Sequence, residues 1–253
     1  MALGKAYIGT SGWQYRHWGN DVFYPAGLKQ AEWFAFYCSV FDCVEINNTF
    51  YHLPKREVFE RWRDVSPDRF HFVVKASRYI THMKKLGQPQ DTVTKFLQSV
   101  SGLGEKLAVI LFQFPPYWNL DLDRLNEFIE YWKRQNLIAN PKIAFEFRNP
   151  SWHQAQVHQL LRSANIALCF ADWPGLTITE PVTADFIYIR RHGPSWLYSS
   201  NYSPQQLRQE AMNIKNWLVN GQDVYVFYNN DAFGWAVQNA LSLKRLICNQ
   251  PSD

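Results

Sequence analysis

Eight short apolar runs, separated mostly by stretches of helical pattern, constrain this 253-residue chain more than any other feature. They are 7–11 YIGTS, 43–50 CVEINNTF, 70–77 FHFVVKAS, 107–114 LAVILFQF, 142–148 KIAFEFR, 166–172 IALCFAD, 185–192 DFIYIRRH and 223–230 DVYVFYNN. Between them, 121–135 sets Leu122, Leu125, Phe128, Ile129 and Trp132 on one helical face, and 203–220 does the same with Leu207, Ala211, Ile214 and Leu218. Ser203 before Pro204 reads as a cap and first helical position, and DLDRLNEF supplies an acidic first turn. No G-x-G-x-x-G follows a strand. Alternating strands and helices then predict an α/β chain closed as a TIM-like (β/α)8 barrel, rather than an open doubly wound sheet. The link WPGLTITEP is too short and too rich in Pro and Gly for a full helix, so one degenerate β/α unit is expected between strands six and seven. With no linker, repeat or low-complexity segment, residues 1–253 read as a single domain.

Composition narrows the function classes. A hydrophobic fraction of 47% with 19% charged residues is globular and excludes disordered or collagen-like classes. Lysine and arginine number 26 against 22 acidic residues, a mild excess without the charge blocks of a nucleic-acid tail. Cys38, Cys43, Cys169 and Cys248 form no C-x-x-C pair, and the start MALGKAYIGTSGW has no cleavable apolar segment. No run of 18 apolar residues occurs, so a soluble, cytoplasmic protein with buried reduced thiols and no membrane association is expected.

In a barrel of this class the active face lies at the C-terminal ends of the strands. Polar residues gather there. Trp13 follows the first strand, Glu45, Asn47 and Thr49 end the second with Tyr51 just beyond, and Lys75 ends the third with His82 in the loop after it. Gln113 ends the fourth, Glu146 and Arg148 the fifth, Asp172 the sixth, Arg190 and His192 the seventh, and Asn229 and Asn230 the eighth. Alternation puts Glu45, Asn47 and Thr49 on one face, as it does Glu146 with Arg148 and Arg190 with His192.

The blocks YIGTSGWQYRHW, VEINNTFYHLP, FVVKASRYITH, LFQFPP, AFEFRNPSW, YIRRHG and VYVFYNNDAFGWAVQNA resemble, in the same order, those of domain-of-unknown-function family 72, the YecE-like proteins. The resemblance spans nearly the whole chain. It implies a TIM-like barrel, found in bacteria and archaea, whose biochemical activity is not established. YIRRHG departs slightly, since a smaller or apolar residue often precedes the histidine in similar proteins; Arg191 is expected to face away from the barrel mouth.

The residues themselves suggest chemistry. Glu45 and Glu146 are candidate acid/base groups, because apolar surroundings raise a carboxyl pKa toward working pH. The competing reading is an ion pair with Lys75, Arg148 or Arg190 that closes the barrel. A glycosidase pair needs carboxylates about 5 to 10 Å apart, and strands two and five lie across such a barrel. Lys75, Arg148, Arg190 and His192 form a positive set suited to phosphate or carboxylate. Trp13, Tyr15, Trp18, Phe50, Tyr51, Trp118, Trp152, Trp173 and Trp196 fall largely in loops, where they would stack on a ring or roof the barrel. No H-x-x-x-H, H-E-x-x-H, P-loop or G-x-S-x-G motif is present, and neither a bound metal nor a cofactor is expected.

The expectation is an enzyme acting on a small anionic substrate, with a ring suited to the aromatics, by general acid/base chemistry. Glu45, Glu146, Lys75 and His192 are its catalytic candidates, and Trp13, Asn47, Thr49, Tyr51, His82, Gln113, Arg148, Asp172, Arg190, Asn229 and Asn230 bind the ligand. The alternatives are a nucleic-acid-binding or nucleic-acid-processing protein and a non-catalytic ligand-binding or scaffold protein. The sequence does not fix the oligomeric state.

Overall fold

A computed structural model of the chain describes residues 2–138 and 141–248. Ten strands are described: β1 Ala6–Thr10, β2 Cys43–Ile46, β3 His71–Lys75, β4 Leu107–Gln113, β5 Lys142–Glu146, β6 Ile166–Leu168, β7 Phe170–Trp173, β8 Leu176–Ile178, β9 Phe186–Arg191 and β10 Asp223–Tyr228. Seven α-helices are described: α1 Trp33–Val40, α2 Arg56–Val65, α3 Pro89–Val100, α4 Leu122–Arg134, α5 Ala155–Ser163, α6 Pro204–Val219 and α7 Trp235–Cys248. The fold is mixed α/β with parallel sheets. Residue contacts divide it into two compact units, the first made of Met1–Val44, Phe170–Glu180 and Asp185–Asp253, the second of Glu45–Cys169 and Pro181–Ala184.

In the second unit the sheet order is β2-β3-β4-β5-β6, with β3 to β6 paired in parallel. Register separates its two faces. Val74, Ile110, Phe112, Ile143 and Phe145 share one face, and Phe112 and Phe145 pack their rings on Phe128 of α4 at 5.0 and 5.5 Å. Each such ring pair adds about 0.5–1.5 kcal/mol beyond its buried area. The opposite face carries Val73, Leu111 and Ala144 and ends in Lys75, Gln113 and Glu146. Helix α4 starts where the sequence signals it, with Asp121 Oδ1 accepting from the Arg124 N–H at 3.1 Å.

In the first unit the order is β1-β10-β9-β7-β8. β1, β10, β9 and β7 run parallel, and β8 turns back antiparallel on β7. This hairpin occupies the link between the sixth and seventh predicted strands, where no helix occurs. Pro174 fixes its first turn position and Gly175, at φ 75°, supplies the left-handed second one. Ser203 caps α6 with a reciprocal bond to Gln206, and Pro204 opens it.

Three sequence expectations are corrected. The strand predicted at 166–172 is two strands, divided at Cys169, with β6 pairing β5 and β7 pairing β9. The strand predicted at 43–50 ends at Ile46, because Asn47 turns to φ −104°, ψ −19° and starts a 3-10 turn, Asn48–Phe50. Strand alternation therefore does not relate Asn47 and Thr49 to Glu45. Cys38, Cys43 and Cys169 are buried thiols, but Cys248 is exposed. No described helix is long and apolar enough to cross a membrane.

Most of the tryptophans expected in loops are core. Trp13, Trp18, Trp118 and Trp152 are all buried. Trp152 stacks on Phe147 at 4.4 Å and donates from Nε1 to the Trp118 carbonyl at 2.8 Å. Only Tyr51 and Trp196 of the named aromatics stand far out, at 82% and 75% exposure.

Candidate functional site

The polar end of the second unit is built from the segments leaving β2, β3 and β5. Thr49 Oγ1 donates to the Lys75 carbonyl at 2.7 Å, which ties the 3-10 turn after β2 to the end of β3. This places the Phe50 ring under the Lys75 ammonium, with Nζ 4.0 Å from the ring centre. After β3 the chain makes a π-helical turn, Tyr79–Met83, started by Ser77 Oγ accepting from the Tyr79 N–H at 3.1 Å. The turn delivers His82 edge-on to Phe50 at 4.9 Å, its Nδ1 2.9 Å from Thr81 Oγ1.

His82 reports the local field. Its pKa is lowered to about 4, first by burial and then by the positive charges of Lys75, Arg148 and Arg78, with only Glu146 acting to raise it. The imidazole is therefore neutral at pH 7. Arg148 Nε donates to Glu146 Oε1 at 2.7 Å, with the two side chains 10% and 2% exposed. Glu45 is fully buried, and Gln113, also buried, donates from Nε2 to the Phe114 carbonyl at 2.8 Å. Asn47 Oδ1 is a buried acceptor with no hydrogen-bond partner, and Tyr51 stands in solvent beside Phe50. Cations, a neutral imidazole and an unused acceptor are what a polar anion bearing a hydroxyl or amine would need.

The remaining sequence candidates lie in the first unit, in two arrangements. Arg190, 1% exposed, brings Nη1 to 3.4 Å from His192 Nε2, and Asn229 Nδ2 lies 3.3 Å from Nδ1 of the same ring. Trp173 and Tyr198 enclose that imidazole edge-on at 5.5 and 5.7 Å. Asn230 is fully buried, donating to the Ser200 carbonyl and to Asn239 Oδ1, while its own Oδ1 has no partner. Trp13 is packed on Phe34 and accepts the Tyr24 hydroxyl on its carbonyl.

Asp172 belongs to the second arrangement. Register places Ala171 beside Arg190, so Asp172 shares the other face with Arg191. Its Oδ1 accepts the His192 main-chain N–H at 2.6 Å and its Oδ2 accepts the Tyr202 hydroxyl. Arg191, expected to face away from the barrel mouth, makes a bifurcated bond from Nε to both carboxylate oxygens of Glu210, at 2.9 and 3.0 Å. Burial and then the Asp172 charge push the Tyr202 pKa up, keeping its proton on the carboxylate bond. A cleft of about 330 Å³ opens beside this network.

Sequence reasoning missed several of these residues. Arg78 lies inside a quoted block but carries no spacing signal. Glu210 did carry one: it interrupts the apolar face of α6 three residues after Leu207 and is buried. His17 carries no sequence signal of its own, yet it meets Asp231, 214 positions away. Among the described residues no group of three His, Cys, Asp or Glu side chains could hold a metal ion.

The sequence profile of the family described as "Protein of unknown function DUF72" matches residues 7–252. The chain is 24% identical to UPF0759 protein YunF of Bacillus subtilis, over 95% of this chain and 94% of that protein. It is 36% identical to UPF0759 protein YecE of Escherichia coli K12 over 109 residues, 43% of this chain and 37% of that one. The crystal structure of a DUF72 family protein from Thermotoga maritima matches with a TM-score of 0.85 at 28% identity, covering 97% of this chain and all (100%) of its own. One from Enterococcus faecalis matches at 0.80 and 22% identity, covering 98% and 97%, a likeness of fold alone. With the profile running almost from end to end, the chain belongs to the DUF72 family.

Proposed function

We propose that the protein is an enzyme that binds a small anionic substrate at the polar end of its second unit and acts on it by general acid/base chemistry. One observation carries this reading: Lys75, with its Nζ 4.0 Å over the Phe50 ring, Arg148 and the neutral His82 gather at one polar end with the buried Asn47 Oδ1, which has no hydrogen-bond partner. Cations gathered in one place suit a phosphate or carboxylate as the complementary partner. Lys75 and Arg148 take the anion, and Asn47 Oδ1 accepts from a substrate hydroxyl or amine. Phe50 and exposed Tyr51 suit a ring. Glu45 is the acid/base candidate on β2, while Glu146 is committed to Arg148 and positions it. Arg190 and His192 are assigned to the polar end of the first unit.

The same proposal takes the chain as one domain, a TIM-like (β/α)8 barrel whose degenerate unit is the β7–β8 hairpin, and places it in the cytoplasm, where the buried thiols stay reduced. A nucleic-acid reading would draw on the groove lined by Lys85, Tyr117 and Arg124, but Asp121 and Asp123 line it too and offset the two cations. Calorimetric titration with inorganic phosphate tests the anion site. Lys75→Met and Arg148→Met should each weaken binding about tenfold or more. Equal binding by wild type and both variants would refute the reading, and binding without turnover of any phosphorylated or carboxylated substrate would leave a ligand-binding protein.

A further inference from the structure

A second constellation lies in the first unit and uses none of the anion-site residues. β1 and β10 are parallel neighbours with Thr10 opposite Tyr228, so the segments leaving their C-terminal ends start side by side. The first contains the 3-10 turn Arg16–Trp18 and the second contains Asp231. His17 Nε2 sits 2.8 Å from Asp231 Oδ2 and 2.8 Å from the Asp231 main-chain oxygen. The hydrogen bond goes to the main-chain carbonyl, an acceptor, so that nitrogen carries the proton, and Oδ2, which makes no hydrogen bond, lies beside the ring as its counter-charge. The tautomer is thereby fixed, with the lone pair on Nδ1. Trp18, fully buried, donates from Nε1 to Asp231 Oδ1 at 2.8 Å and holds the carboxylate in turn. The His17 side chain is 44% exposed and that of Asp231 only 10%, so a solvent-facing imidazole rests on a shielded anion.

We propose that His17 is a proton-transfer site whose Nδ1 accepts the proton of a hydroxyl group, from water or a small alcohol, with Asp231 and Trp18 as positioning residues. As the proton moves to Nδ1 the ring becomes an imidazolium, its Nε2–H remains on Asp231, and the carboxylate balances the new charge. The freed oxygen is the nucleophile, and the imidazolium returns the proton to the leaving group or to water. A base, a carboxylate that orients it and a donor that orients the carboxylate are the parts this chemistry requires. A clamp between two loops would need neither a fixed tautomer nor an exposed ring.

The test uses the full chain at pH 7.5 and two readouts. Nitrogen-15 NMR of labelled histidine, assigned with His17→Asn, should show His17 as the Nε2–H tautomer. Hydrolysis of p-nitrophenyl acetate should fall about tenfold or more in His17→Asn and in Asp231→Asn, with thermal unfolding confirming that each is folded. In that reaction Nδ1 takes a proton from water as its oxygen adds to the acetyl carbon. The bond to p-nitrophenolate then breaks, acetic acid leaves and ionises to acetate, and the Nδ1 proton passes to solvent. An Nδ1–H tautomer, or a rate in His17→Asn within twofold of wild type, would overturn the proposal. The outcome is independent of phosphate binding by the second unit.

Discussion

The polar end of the second unit and the Asp172–Arg191 network of the first are both charged clusters at the ends of parallel strands, but they are balanced differently. In the network Arg191 is held by Glu210, and Asp172 by the Tyr202 hydroxyl and the His192 N–H. Burial works against the Arg191 charge, but Glu210 and Asp172 outweigh it and hold the guanidinium more firmly protonated than usual. At the second unit's polar end Glu146 takes Arg148, and His82 is held neutral first by burial and then by the charges of Lys75, Arg148 and Arg78. A cluster that neutralises itself supports the fold. One that gathers several cations around a neutral imidazole is suited to an anion.

The largest effects on stability should come from the two buried ion pairs. Glu210→Gln leaves a buried Arg191 without its counter-charge and should cost about 3–5 kcal/mol of stability, read by denaturant unfolding. A loss below about 1 kcal/mol would mean the network is not structural. Glu146→Gln should cost a similar amount, about 3–5 kcal/mol, because Arg148 and Glu146, at 10% and 2% exposed, are at least as buried as Arg191 and Glu210, at 15% and 8%. It should also strengthen phosphate binding by releasing Arg148, and weakened binding would count against the assigned roles.

Acid separates two further groups by sign. The Asp231 pKa is raised to about 6, chiefly by burial and against the hydrogen bond from Trp18 and the charge of His17. A carboxyl group with a raised folded pKa stabilises below its unfolded value of 3.8 and loses that contribution as pH rises through about 6. The difference is on the order of 3 kcal/mol. Asp231→Asn should abolish it. His82 runs the other way: with its pKa lowered from 6.5 to about 4, its contribution is complete above 6.5 and is lost as pH falls through 4. Wild type minus His82→Asn, measured from pH 4 to 7, should thus slope opposite to wild type minus Asp231→Asn. Parallel slopes would show that one of the two environments is misjudged.

The smallest effect is Tyr51→Ala, expected within about 0.5 kcal/mol in stability because the side chain is exposed. Its readout is the affinity for a ring-bearing anion relative to phosphate. An unchanged ratio removes Tyr51 from the site.

What the sequence made legible was local. Period-2 and period-3.6 patterns located the strands and helices α4 and α6, Ser203 with Pro204 marked a helix start, and Pro174-Gly175 signalled the missing helix. The break at Cys169 was hidden because IALCFAD is one apolar run, and its two halves differ only in which strand each pairs with. The face occupied by Asp172 depends on register with Arg190, which no single-strand pattern carries. Lys75, Arg148 and His82 were legible as strand-end polar residues. Their convergence was not, since it depends on a π-helical turn with no recognised signature. His17 was not legible as a site residue because its partner Asp231 is remote in sequence.

The account rests most heavily on the field at His82, and an NMR titration of the His82 ring with and without inorganic phosphate tests it most directly. The ring should titrate near pH 4 alone. Bound phosphate favours the imidazolium and should raise the midpoint toward 6.5, the ordinary value for histidine. Lys75→Met should raise the phosphate-free midpoint and blunt the phosphate response. A ring that titrates near 6.5 without phosphate, or one whose midpoint phosphate leaves unmoved, would contradict the claim that this end of the molecule is built for an anion.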